Sequence, residues 1–129
     1  MRTFAVSLVA IAMLTIACGP TQVPLDSRPS DQGSGRDLAF SIAEQAKCER
    51  LEDLEVNSTN RWTFTCSASG HTFAIEVFSD TTGRDAATRR LRDRRAPFRA
   101  GPYYVVSEHT GSDAGARDTL ATFPGDVAG

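Results

Sequence analysis

Lysine is nearly missing from this chain: Lys47 stands beside thirteen arginines in 129 residues. Acidic side chains number 16 against 14 basic ones, a formal net charge of −2. The chain as a whole therefore lacks the basic excess with which nucleic-acid binders meet phosphates. Histidine occurs twice, as His71 and His109, and no CxxC, HExxH, GxSxG or glycine-rich phosphate loop is present. Metal binding or acid–base catalysis needs several such groups converging on one point. The expectation is a protein that is not an enzyme, with no catalytic residues, no metal and no cofactor. Long apolar runs are missing too. A membrane-spanning helix needs about 20 consecutive apolar residues, and the uncharged, mostly apolar stretch from Thr3 to Ile16 has 14.

That stretch follows a positive charge, Arg2, and ends in small residues, the layout of a secretory signal peptide. Its last residues, Leu14-Thr15-Ile16-Ala17-Cys18, resemble the lipobox of bacterial lipoproteins, with Leu14 one place earlier than the usual leucine. The resemblance implies that the Cys18 thiol receives a diacylglycerol and that signal peptidase II removes residues 1–17. Two acyl chains, at roughly 0.8 kcal/mol per buried methylene, hold a protein on a bilayer. The expected location is the outer face of the cell membrane. Of three cysteines, lipidation takes Cys18 and leaves Cys48 and Cys66 as a pair, in a compartment where disulfides persist. Residues 18–36 carry three prolines, three glycines and three serines without apolar periodicity. They read as the lipidated cysteine and a flexible linker.

Residues 37–129 are enough for one domain. Residues 37–53 read as a helix with Leu38, Ala39, Ile42, Ala43 and Ala46 on one side. In 61–67, Trp62, Phe64 and Cys66 alternate with polar residues; after Ala68-Ser69-Gly70, a second strand places His71, Phe73, Ile75 and Val77 on one face. This hairpin puts Cys66 on the buried side, within reach of the first helix and Cys48. Asp80 or Thr81 caps a second helix that Pro97 ends, and 102–109 form a third strand with apolar residues on both faces, which suits a central position. Ser112 or Asp113 caps a last short helix carrying Leu120. The predicted fold class is α+β: an antiparallel or mixed three-stranded sheet with helices packed on one face, in the order α-β-β-α-β-α, with one disulfide.

The succession Cys48, Cys66, Gly70, Phe78, Arg84-Asp85-Ala86, Gly101, Tyr104-Val105-Val106 and Leu120 resembles small exported proteins and lipoproteins of actinobacteria. The arginine-rich, lysine-poor composition suits such GC-rich genomes. The resemblance implies fold and location and no particular activity.

Residues 84–99 hold seven arginines against two aspartates, and residues 37–55 hold six acids against Lys47 and Arg50. Two readings follow. Arg84, Arg89, Arg90, Arg94 and Arg95 form an anion-binding face for anionic lipid or an envelope polymer, or the basic helix lies beside the acidic one and the charges neutralise within the domain or are simply solvated. The functional expectation is a membrane-anchored, non-enzymatic binding module. The alternatives are an inhibitor or accessory subunit of an exported enzyme, partnered with another envelope protein, and a small hydrolase.

Overall fold

In a computed structural model, the structure describes residues 22–54, 60–109 and 114–128. Helix α1 spans Gln32–Gln45, followed by strands β1 (Arg50–Asp53), β2 (Arg61–Ala68) and β3 (His71–Phe78). Helix α2 (Thr81–Asp93), strands β4 (Phe98–Ala100) and β5 (Tyr104–Glu108), helix α3 (Ala114–Leu120) and strand β6 (Asp126–Ala128) complete the order. The strands form one sheet, β1-β2-β3-β5-β4-β6, with antiparallel pairing throughout.

The α+β class, the β2–β3 hairpin and the interior position of β5 agree with the sequence. Trp62, Phe64 and Cys66 lie opposite Val77, Ile75 and Phe73, all buried. Ser69 and Gly70, both at positive φ (51° and 77°), make the two-residue turn whose twist suits such a hairpin.

Three expectations are corrected. Among the described residues the sheet has six strands in place of three. The additional strands β1, β4 and β6 have four, three and three residues; each is held by a neighbouring ladder and is too short to carry a period of its own. The helices lie on both faces in place of one. Helices α1 and α3 cover Phe64, Phe73, Ile75, Val77, Tyr104 and Val106. On the opposite face Ala87 and Leu91 of α2 cover Phe78, Phe98 and Val105. Alternation makes this unavoidable: β3 and β5 are apolar on both sides, so each side needs a cover.

The first helix is also displaced toward the N-terminus. Asp31 caps it by accepting from the Ser34 N–H at 2.7 Å, and Ser34 Oγ accepts from the Asp31 N–H at 3.0 Å. This reciprocal cap starts the helix inside the expected linker. Gly33 and Gly35 are poor helix formers, but a Cβ on Gly35 would lie 2.9 Å from the Trp62 indole, so packing requires the glycine. The helix ends at Gln45 because Lys47 turns to φ 56°, with Cys48 N–H donating to Ala43 C=O and Lys47 N–H to Glu44 C=O. Residues 50–53, expected as helix, thereby become the edge strand β1.

Cys48 and Cys66 are disulfide-bonded, with Cα atoms 5.7 Å apart, inside the usual range. The bond fastens the exit of α1 to the buried face of β2.

Candidate functional site

The basic segment 84–99 separates into three parts once it is folded. Helix α2 starts at the Asp80 cap, whose carboxylate accepts from Gly83 N–H at 2.8 Å. Because Ala87, Thr88 and Leu91 are turned into the sheet, the arginines fall to the two flanks and the C-terminal end.

Toward β2 and β3, Arg90 Nη2 lies 3.3 Å from Glu76 Oε1, and Arg61 Nη1 lies 3.8 Å from Glu76 Oε2. The Glu76 side chain is 12% exposed, so its charge is balanced by two guanidinium groups at the sheet surface. Arg90 is thus occupied by the fold and leaves the anion-binding set.

Toward β4, a cleft of about 440 Å³ opens between α2, the β4–β5 turn and the start of β6. Arg84, Asp85, Thr88, Arg89 and Arg92 form its helical wall, and Ala100, Gly101, Pro102 and Asp126 form the other. Arg84 is 28% exposed and fully committed. Its Nη1 donates to the Gly101 and Pro102 carbonyls, each at 3.3 Å, and its Nε and Nη2 donate to Asp85 Oδ1 at 3.0 and 2.6 Å. This guanidinium clamps the turn to the helix and builds the wall. Arg89 projects into solvent on the same flank, without an ion-pair partner among the described residues. Arg92 rests over the Phe98 ring at 5.7 Å, a cation–π contact that holds its stem and leaves its N–H groups at the cleft.

At the C-terminal end, Arg94 is the cap residue of α2 and Arg95 takes φ 54°. Ala96 N–H donates to Leu91 C=O and Arg95 N–H to Arg92 C=O, which closes the helix. Both side chains are exposed.

The expected placement of the basic helix beside the acidic one is corrected by this arrangement, whereas Arg89, Arg94 and Arg95 are exposed to solvent. Helices α1 and α2 lie on opposite faces of the sheet. The acids of the first helical segment therefore do not meet α2, whose ion pairs run to Glu76 and to its own Asp85.

Of the five arginines expected at a site, the structure brings Arg84 and Arg89 to one cleft, places Arg94 and Arg95 at the adjoining helix end, and diverts Arg90. Sequence reasoning missed Arg92, Thr88, the Gly101-Pro102 turn and Asp126. Arg92 was accessible by spacing: it stands three residues after Arg89, on the same flank. No local pattern announces that the turn after β4 packs against α2.

Beneath the turn, Tyr104 is buried, and burial pushes its phenol above the ordinary value; Arg99 partly opposes this and Asp126 adds to it. An unfolded tyrosine ionises near pH 10. Above that, the unfolded chain releases a proton that the folded chain keeps, so stability falls as pH rises. Urea unfolding between about pH 9 and 11 is expected to show this decline, and Tyr104→Phe is expected to flatten it.

His71 lies half-buried at the start of β3 with its ring edge-on to Phe73. His109 is exposed, and its backbone N–H donates to Thr72 C=O. Among the described residues no three His, Cys, Asp or Glu side chains group to hold a metal ion, and no described helix is long and apolar enough to cross a membrane. Cys18, Ser112 and Asp113 lie outside the described residues. Compared with protein-family models, curated proteins and solved structures, the chain matches none.

Proposed function

We propose that this chain is an exported, lipid-anchored, non-enzymatic binding module, and that the cleft beside α2 receives an acidic group of a cell-envelope ligand. The observation that carries the reading is the pairing state of the arginines. Arg84 and Arg90 are consumed by the fold, whereas Arg89, Arg92, Arg94 and Arg95 keep exposed guanidinium groups on one side and end of a single helix. Arginine presents a planar fork of donors that matches phosphate and carboxylate oxygens. The volume of the cleft suits a small polar group, and its openness to solvent favours recognition over the water exclusion that chemistry requires. Anchoring is supported by the Leu14–Cys18 lipobox and by a disulfide that suits an oxidising compartment.

Two measurements test the two halves. Cells fed a palmitate analogue are expected to label the wild-type chain and leave Cys18→Ala unlabelled; equal labelling ends the anchoring half. Detergent-extracted chain is expected to be retained on phosphocellulose and to elute with salt, since exposed charges are screened within about 8 Å at physiological ionic strength. Arg89→Gln/Arg92→Gln is expected to elute at clearly lower salt while still folding cooperatively, with the melting temperature lowered only by the loss of the Arg92–Phe98 contact, about 0.5–1 kcal/mol. Co-elution of variant and wild type ends the binding half.

A further inference from the structure

The residues that follow Cys18 were expected to form a loose tether, but the chain is fastened from Gln22 onward. The Gln22 side-chain amide donates to the Glu44 carboxylate, and Val23 N–H donates to Ser41 Oγ at 2.9 Å. Val23 and Leu25 pack against the core, Pro29 is buried, and Arg28 Nε donates to Ser79 C=O at 2.7 Å. This arm runs alongside α1, on the face of the sheet opposite α2.

The distance this leaves is set by covalent geometry. From Cys18 to Gln22 there are about four Cα–Cα steps of about 3.8 Å, so the two residues are at most about 15 Å apart. The domain is three layers deep, helix, sheet and helix. With layers of about 10 Å each, its far surface lies about 30 Å from the α1 side. A stalk of half that length does not let the domain roll over and lay the outer surface of α2 on the bilayer that holds Cys18.

We propose that the basic surface of α2 points away from the anchoring bilayer, and that its ligand is a polymer with repeated acidic groups approaching from that side, not the head groups of the anchoring bilayer. The proposal rests on the lipid anchoring of Cys18 proposed above. That the ligand is a polymer follows from the length of the surface. Arg89 and Arg92 on the second half of α2 and Arg94 and Arg95 at its end are spread over about 9 Å along the helix axis. One phosphate or carboxylate engages one end of such a row; repeated groups engage all of it, and each added contact raises affinity without a new loss of translational freedom.

The test uses full-length lipidated protein reconstituted in vesicles of neutral phosphatidylcholine, with or without anionic phosphatidylglycerol. A fluorescent donor is attached at Gln45→Cys, on α1 beside the arm, or at Ala86→Cys, on the outer side of α2; both positions are exposed, and the native disulfide is left oxidised. Energy transfer to acceptor-labelled head groups is expected to be strong from position 45 and weak from position 86, with or without anionic lipid. Inorganic polyphosphate added to the vesicle-bound chain is expected to bind, with affinity lowered at least about tenfold by Arg89→Gln/Arg92→Gln and falling steeply with salt. Equal transfer from the two positions on anionic vesicles overturns the proposal in favour of the bilayer as ligand. Tight membrane association without polyphosphate binding overturns the polymer. A wild-type chain that carries no lipid overturns the anchoring reading, and the proposal with it, and palmitate labelling tells that result from the other two.

Discussion

Replacing Cys66 by serine is expected to lower the stability of the domain by about 2–5 kcal/mol, the range for losing a native disulfide from a small secreted domain. The bond spans a sequence separation of 18, and by the chain-entropy estimate a loop of that size contributes about 3 kcal/mol. Its position adds to this. Cys48 follows the end of α1 by three residues and precedes β1 by two, so the bond fixes where the helix exits and where the edge strand begins. Glu49 N–H, donating to Ser67 C=O at 2.8 Å, continues that attachment. Cys66 is fully buried whereas Cys48 is half-buried, so Cys66→Ser also buries a hydroxyl and is expected to cost more than Cys48→Ser. Guanidinium unfolding of the three chains measures the order. Under excess dithiothreitol the difference between wild type and Cys48→Ser is expected to vanish; a difference that persists means the bond was not its source.

The second large effect concerns Gly101. An alanine Cβ there would lie 2.1 Å from Tyr104 Cε1 and 2.3 Å from Cζ. The obstacle is the body of an aromatic ring that is 2% exposed, and it cannot swing aside as a flexible chain end would. Gly101 N–H also donates to Tyr104 C=O at 3.0 Å, which holds the turn against the ring. Gly101→Ala is therefore expected to push the β4–β5 turn outward and to cost about 3 kcal/mol, the upper part of the usual overpacking range. It should also detach the Gly101 and Pro102 carbonyls from Arg84 and open the cleft. Tyr104→Val in the same chain makes room, so the double variant is expected to lose less than the two single losses combined. Melting curves of the four chains close that cycle, and a Gly101→Ala chain that melts with wild type refutes the packing described.

These residues also show what a sequence conveys. The β2–β3 hairpin was legible because one side of it faces the core, which forces alternation from Trp62 through Cys66. The pairing of Cys48 with Cys66 was legible for the same reason, since the alternation aims one sulfur inward. Helix α2 was legible from the Asp80 cap and from Pro97. Strands β1, β4 and β6 were not, because a strand of three or four residues draws its stability from the ladder beside it. The start of α1 was hidden by Gly33 and Gly35, whose helical state depends on the Asp31–Ser34 cap and on a distant indole. The candidate site was half legible. Composition marks the arginines, but whether a given one is consumed or free depends on Glu76 and the Gly101–Pro102 turn, which are separated from α2 in sequence and joined to it only by the fold.

The two margins of the sheet have a further consequence. An open sheet presents unpaired N–H and C=O groups along its outer strands, and a second copy can add itself there. Among the described residues those margins are the four residues of β1 and the three of β6, about 13 Å and 10 Å of ladder. Strand β1 also carries Arg50, Glu52 and Asp53, exposed and charged. A neighbour zipping onto it would gain a handful of hydrogen bonds and would have to set like charges against one another or desolvate them. On a chain anchored as proposed above, copies would meet at high local density, where a long neutral margin nucleates fibres and a short charged one resists edge-to-edge pairing.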